Sequence, residues 1–374
     1  EHISYRYRTS NNMASAAVMA LHSGRSCARA SVLAAVAQTS SSNLCSTLDN
    51  RLNLATACRH RRFRSSAATG SADTALLPIG RWLPTSPSNT SYRESQCFIH
   101  RVFGYRGMIL FPWETSITEK ITNNGATDRT EPSEPKPVTY YRAIIHEDDW
   151  RESSLIPSVI SILTTSTDRP LRYLPGFDHV SHADVLPFDP INEEPIKHRV
   201  FPYFFDTSPS TTTGNNGQGV TFRAKSELQR HRERQQVLLR MSQVYRETDK
   251  ENGLRVTVIP FFCGHSVDKF KWEYTIRIEN LSQQTMVVRS QHFRFYPPDG
   301  TKLMEHTYFP QLRDIALSTR RSVCQETQMI DIGNAKGHAW GHIELERETG
   351  EIFRANIPTF HFDYQDATNE LNVG

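Results

Sequence analysis

Between Trp272 and Glu279 the chain alternates without a break. Trp272, Tyr274, Ile276 and Ile278 fall on one side, and Glu273, Thr275, Arg277 and Glu279 on the other. A period of two built from aromatic and β-branched residues marks a strand with one face in a core. A helix cannot hold this pattern, because residues i and i+2 lie on different sides of it. Ile343 and Leu345 against Glu344 and Glu346 repeat it, ahead of the turn Glu348-Thr349-Gly350. Arg255 to Phe262 reads as a further strand, and Pro297-Pro298-Asp299-Gly300 as a turn between two more. Short strands with turns between them and no helical period predict an antiparallel sandwich over residues 254–364. Residues 365–374 form a tail.

Upstream, Cys97 to Trp113 reads as strand, glycine-bearing turn and strand, with Gly104 and Gly107 at the bend. Met108-Ile109-Leu110-Phe111 is a continuous apolar run, the mark of a buried strand. Tyr140 to Ile145 is another strand, and 116–137 a polar loop with Pro132 and Pro135. Residues 207–223 are rich in Thr, Ser, Asn and Gly and predict a linker. Residues 224–253 predict a connecting helix and turn. Leu238, Met241 and Tyr245, with Val237 and Val244 beside them, form one apolar stripe over 224–247. Arg230, Arg234 and Arg240 could make a basic face on it, but Glu227, Glu233 and Glu247 dilute that face. The linker supplies no apolar surface, so the flanking β-domains are expected to fold separately.

The charge of the chain is unevenly spread. Of 43 Lys and Arg, nine Arg and no Lys fall in residues 1–64, which hold only two acids, Glu1 and Asp49. The whole chain is +3, but without that segment 34 bases face 38 acids, a net −4. A front that is basic, Ser-rich and acid-poor reads as a mitochondrial transit region over 1–65, with Met13 as initiator and cleavage near Phe63 or Ser65. Residues 66–91 would be a flexible lead-in. The remaining chain has no global electrostatic reason to coat nucleic acid, so any DNA affinity should be weak. No apolar run is long enough to span a membrane as a helix. The six Cys have neither metal-knuckle nor redox spacing.

Several runs carry resemblances. Val256 to Phe261, Tyr274 to Leu281, Gly337-His338-Ala339-Trp340-Gly341 and Ile357-Pro358-Thr359-Phe360 together resemble an ApaG domain, an immunoglobulin- or fibronectin-III-like sandwich. His100 to Gly107, Tyr140-Tyr141, Val180 to Leu186 and Pro195-Ile196-Lys197-His198 resemble the small β-barrel of bacterial hemimethylated-DNA-binding, heat-shock-type proteins, over 92–206. The pair resembles the polymerase delta-interacting protein 2 family. That implies an all-β, two-domain chain, with barrel and sandwich joined by a linker and one helix. It also implies partners: the DNA polymerase delta small subunit, the sliding clamp and a Clp-type mitochondrial unfoldase. The implied location is the mitochondrial matrix, with the nucleus as a second.

The residues themselves point away from catalysis. The chain lacks Gly-x-Ser-x-Gly, His-Glu-x-x-His and a Gly-Lys-Ser/Thr phosphate loop. No catalytic, cofactor or metal residue is therefore assigned. His179 and His182 lie three apart, but beside Asp178 and Asp184 they read as solvated histidines in a polar turn. ApaG domains carry a Gly-x-Gly-x-x-Gly loop where this chain reads Thr307-Tyr308-Phe309-Pro310-Gln311-Leu312. Without glycines, and with no N–H on Pro310, that stretch cannot cradle a phosphate. Tyr308 and Phe309 become an apolar contact spot instead. Tyr105, Arg106, Trp113 and Trp340 complete the residues expected to meet a partner. The reading is a non-enzymatic adaptor, with DNA binding through the barrel as its alternative.

Overall fold

The computed structural model describes residues 2–6, 76–87, 90–122, 133–150, 155, 157–162, 172–209, 220–266, 269–298, 304–308 and 314–365. Contacts divide the chain into two units, Ser4–Pro78 and a second of Glu1–Ile3 with Ile79–Gly374. The expected transit region and the front half of the lead-in fall almost wholly outside the described residues.

In the second unit the fold is all-β. Its N-terminal strands are β1 (Leu76–Trp82), β2 (Cys97–His100), β3 (Arg106–Thr122), β4 (Lys136–Ile145), β5 (Ser158–Ile162), β6 (Arg172–Ser181) and β7 (Val185–Pro190). They pair antiparallel in the order β1-β7-β2-β3-β4-β6-β5. The apolar run Met108 to Phe111 sits inside β3 and is fully buried, so both faces of that strand are covered. The long hairpin of β3 and β4 pairs out to Ile117 and Lys136, so its arms enter what composition marked as a polar loop.

β8 (Phe205–Pro209) and β9 (Val220–Ala224) take up both ends of the expected linker, 207–223, and pair with each other antiparallel. The residues between them are not described. A 14-residue helix, α1 (Ser226–Leu239), follows. It is shorter than the apolar stripe predicted. Val244 and Tyr245 belong instead to β10 (Val244–Asp249). Val-Tyr at the end of a helical stripe fits a strand as well as a helix, and here tertiary pairing decides. β10 lies parallel to β3, from Val244 opposite Ile117 to Asp249 opposite Thr122. On its other side it pairs antiparallel with β11 (Leu254–Ser266).

That strand carries one ladder from the N-terminal strands into the sandwich, across the boundary at which separate folding is expected. β11 pairs with β12 (Lys269–Asn280), which pairs with β16 (Val323–Ile332), so one sheet runs from β1 to β16. A second sheet holds β13 (Met286–Tyr296), β14 (Met304–Tyr308), β15 (Ala316–Leu317), β17 (Lys336–Arg347) and β18 (Ile352–Asp363). The alternation that predicted the sandwich now has its partners. Trp272, Tyr274, Ile276 and Ile278 face Phe293, Phe295, Ile343, Leu345, Phe360 and Phe362 in one core. The Trp272 and Phe362 rings meet edge to face at 5.3 Å, and Tyr274 and Phe293 at 5.7 Å. Each ring removes ~150–250 Å² from water, several kcal/mol at about 25 cal/mol per Å².

The shared sheet has a consequence that can be measured. A chain carrying a protease site between Pro209 and Val220, once cut, is expected to run as one particle on gel filtration. The two pieces should part only in denaturant. Separation in native buffer would show that the continuous sheet does not join them.

Candidate functional site

Three of the expected contact residues are buried. Tyr105 is 1% exposed, Arg106 4% and Trp113 5%. The Tyr105 hydroxyl donates to Asp178 at 2.6 Å. Arg106 forks onto Asp149, Nε to Oδ2 at 2.8 Å and NH2 to Oδ1 at 2.7 Å. Trp113 packs between Tyr140 at 5.4 Å and Phe261 at 6.0 Å. These side chains cannot present a surface, because β3 is covered on both faces. Their roles are structural, and the N-terminal strands lose the aromatic residues offered for stacking bases. Tyr308 lies at the end of β14, opposite Gln291 in register. Phe309 lies outside the described residues. Of the six, Trp340 has a visibly exposed side chain, at 36%.

What the buried residues build is a polar junction between the N-terminal strands and the sandwich. Asp178 on β6 accepts from Tyr105 and, at 2.8 Å, from Gln325 on β16. Burial pushes its carboxyl up, against the hydrogen bonds of Tyr105 and Gln325. Arg277 on β12 donates to Asp184 at 2.6 Å and to Glu279 at 3.1 Å. Burial works against both members of the Arg277–Asp184 pair. Their mutual attraction wins, so Arg277 is raised and Asp184 lowered. The Arg277 guanidinium also lies 5.6 Å from the centre of the Phe103 ring. His179 is not solvated as expected. It stacks on Phe261 at 3.9 Å and touches Arg142. Burial first and Arg142 second hold its pKa well below the ordinary range, so it stays neutral. His182 bonds the Tyr141 hydroxyl at 2.8 Å and the Ser86 carbonyl at 3.1 Å. The Arg277–Asp184 and Gln325–Asp178 bonds cross this desolvated junction and tie the N-terminal strands to the sandwich.

The face presented to solvent is the outer side of the second sheet. Cross-strand register sets Arg294 opposite Trp340, Tyr296 opposite His338, and His292 opposite His342. His338 lies opposite His361 on β18. The Tyr296 and Trp340 rings are parallel within 3°, with centroids 6.3 Å apart. His338 stacks on Tyr296 at 5.4 Å and 13°, and Arg294 lies over Trp340 at 5.0 Å. Of this group the sequence singled out Trp340 alone. His338 shares its strand, but Arg294 and Tyr296 come from β13 and meet it only through the register. The close approach is made by Gly341, where a Cβ would run into the carbonyl oxygen of His292. Gly341→Ala is therefore expected to push β13 from β17 and cost about 1–3 kcal/mol in urea unfolding. An unchanged midpoint would show that the strands give way freely.

A hollow between Gln96, Phe188 and Phe222 holds about 50 Å³, room for a few waters and not a metabolite. Among the described residues no group of three or more His, Cys, Asp or Glu is gathered for a metal ion, and no helix is long and apolar enough to cross a membrane.

No family model matches the chain. It is 30% identical over 290 residues to polymerase delta-interacting protein 2 of Mus musculus, covering 74% of this chain and 76% of that protein. The Homo sapiens protein of that name matches equally, 30% over 290 residues with 74% and 76% covered. Protein ApaG of Xanthobacter autotrophicus is 23% identical over 124 residues, covering 32% of this chain and 95% of its own.

Proposed function

The chain belongs to the polymerase delta-interacting protein 2 family, and on that premise we propose that it is a non-enzymatic adaptor. It would hold protein partners of DNA replication and repair, and of mitochondrial proteolysis, on its two β-domains. The observation that supports this most is the junction. One sheet runs through both domains and the Arg277–Asp184 and Gln325–Asp178 bonds tie them. A rigid body of that kind presents its surfaces at a set distance and angle, which suits bringing two partners together.

The partners follow from the family. The relatives' own name specifies interaction with polymerase delta. The resemblance adds the polymerase small subunit, the sliding clamp and a Clp-type unfoldase. Titration calorimetry of the purified full chain against each of these three tests the proposal. Saturable one-to-one binding of at least one, at about 10 μM or tighter, supports it. No heat with any of the three at about 100 μM would overturn it. The acid-poor front supports import into the mitochondrial matrix, with a nuclear pool beside it. N-terminal sequencing of the endogenous protein should begin near Phe63 to Ser65. An intact start at Ala14 would reject import with cleavage.

A further inference from the structure

We propose that the ring-bearing outer face at Tyr296, His338 and Trp340 docks a proline-rich segment of a partner protein in the polyproline II conformation. The inference deepens the adaptor reading and rests on it. Side chains stand roughly upright from a sheet, so parallel rings on neighbouring strands make parallel ridges. Tyr296, His338 and Trp340 are such ridges, parallel within 3° to 13°. Polyproline II chains have no internal hydrogen bonds and lose little entropy on binding, and aromatic ridges are the surface they dock on. Trp, Tyr and His each bring a polar hydrogen to the rim of a flat apolar surface, which serves the free carbonyls of such a chain. Tyr296 and Trp340 have centroids 6.3 Å apart. A ring slotted between them would need two carbon contacts in line, ~7–8 Å. The prolines therefore lie across the ridges and not between them.

Charge complementarity selects this occupant over a nucleic acid strand. The Arg294 guanidinium lies over the Trp340 ring, and Arg354 is held by Glu344 at 3.1 Å. Lys336 is held by Asp363 at 2.9 Å. Burial and Arg354 lower the pKa of His342, and burial and His338 lower that of His361, so both rings are neutral at pH 7. A face rich in rings, with Arg294 over them and Lys336 and Arg354 held by carboxylates, lacks the row of cations that a polyanion needs. It matches an uncharged, apolar, extended chain.

The test uses the full chain, a fluorescein-labelled decaproline, a set of proline-rich dodecamers and the same dodecamers with alanine for proline. Anisotropy should show binding of proline-rich peptides and not of their alanine twins. W340A and Y296A should each weaken it at least about tenfold, and W340F less. Trp340 is outside the core, so W340A should unfold at the wild-type urea midpoint. Binding unchanged by W340A and Y296A would overturn the proposal. So would oligothymidylate that binds in place of the peptides and is lost in W340A, which would assign the face to single-stranded nucleic acid. If no peptide binds while the polymerase delta small subunit does, this inference falls alone. If neither binds, it falls together with the adaptor reading.

Discussion

Replacing Arg277 with Met is expected to cost the fold about 3–5 kcal/mol. The guanidinium is the cation for two carboxylates, Asp184 at 2.6 Å and Glu279 at 3.1 Å, each only 13% exposed. Met fills much of the volume but leaves both anions desolvated. Two other basic groups lie near Asp184: Arg101, a weaker influence on its carboxyl than Arg277, and His100, whose Nε2 lies at 3.9 Å. Burial, opposed by Asp184 and helped by Arg277, lowers the His100 pKa to about 3, so it carries no charge to substitute. Glu279 keeps Arg255 at 3.8 Å, a looser and more exposed contact. The penalty therefore falls chiefly on Asp184, and the double variant Arg277→Met with Asp184→Leu should recover a large part of it. Equilibrium urea unfolding of wild type, both single variants and the double variant gives the coupling energy. A loss below about 1 kcal/mol for Arg277→Met would show that water reaches Asp184 and that the junction is softer than drawn.

How far the sequence led differs by element, and the differences have physical causes. The sandwich was legible because one face of β12 is apolar while the other, though largely covered too, carries Glu273, Thr275, Arg277 and Glu279. Its period of two survives in the sequence, and Trp272 to Ile278 lie on the face that meets the second sheet. β3 was legible as a buried strand from Met108 to Phe111, but the burial of the residues flanking that run was not. Tyr105, Arg106 and Trp113 look like surface residues by type, and only the covering of both faces removes them from solvent. β10 was misread because its stabilising partners are remote. Thr115, for example, bonds the Ser242 carbonyl across 127 positions. Local propensity cannot weigh a ladder that distant, and Val244 and Tyr245 fitted the helical stripe by coincidence of spacing. The same limit applies to the outer face. Trp340 stands out by type, but Arg294, Tyr296 and His361 become its neighbours only once the register of β13, β17 and β18 is set. Nothing in the text of the sequence places them together.

The fold should also be acid-labile, losing stability from about pH 6.5 downward. His100 and His146 are buried and neutral. Burial is the largest cause for both. For His146 it acts with Arg106 and outweighs Asp149 and Asp148, lowering the pKa to about 4. For His100 the value falls to about 3. In the unfolded chain each should take up a proton near pH 6.5. Between the two values the unfolded state binds more protons than the folded one, so stability rises with pH there. Read downward, the contribution is complete above the unfolded pKa and is lost as pH falls towards the folded one. Each buried histidine adds a slope that starts at half of about 1.4 kcal/mol per pH unit and approaches that limit, so the pair loses about 3 kcal/mol between pH 6.5 and 5. Against a typical total of about 5–15 kcal/mol, that is a large share. His231, also lowered to about 4 by burial first, acts in the same sense. Asp178 runs the other way, since burial raises its carboxyl. Its contribution is largest below the usual carboxylate range and fades as pH climbs through its raised value. Asp184 is lowered, so its stabilisation is lost only below that range, under the histidine window. Urea midpoints should thus hold level from pH 8 to 7 and drop steeply from 6.5 to 5. His146→Gln, which keeps an acceptor for the Asp148 N–H now bonded at 3.3 Å, should flatten the slope by about 1.4 kcal/mol per unit. A stability profile level across pH 8 to 5, or one whose slope His146→Gln leaves untouched, would mean that these rings pick up protons in the folded state.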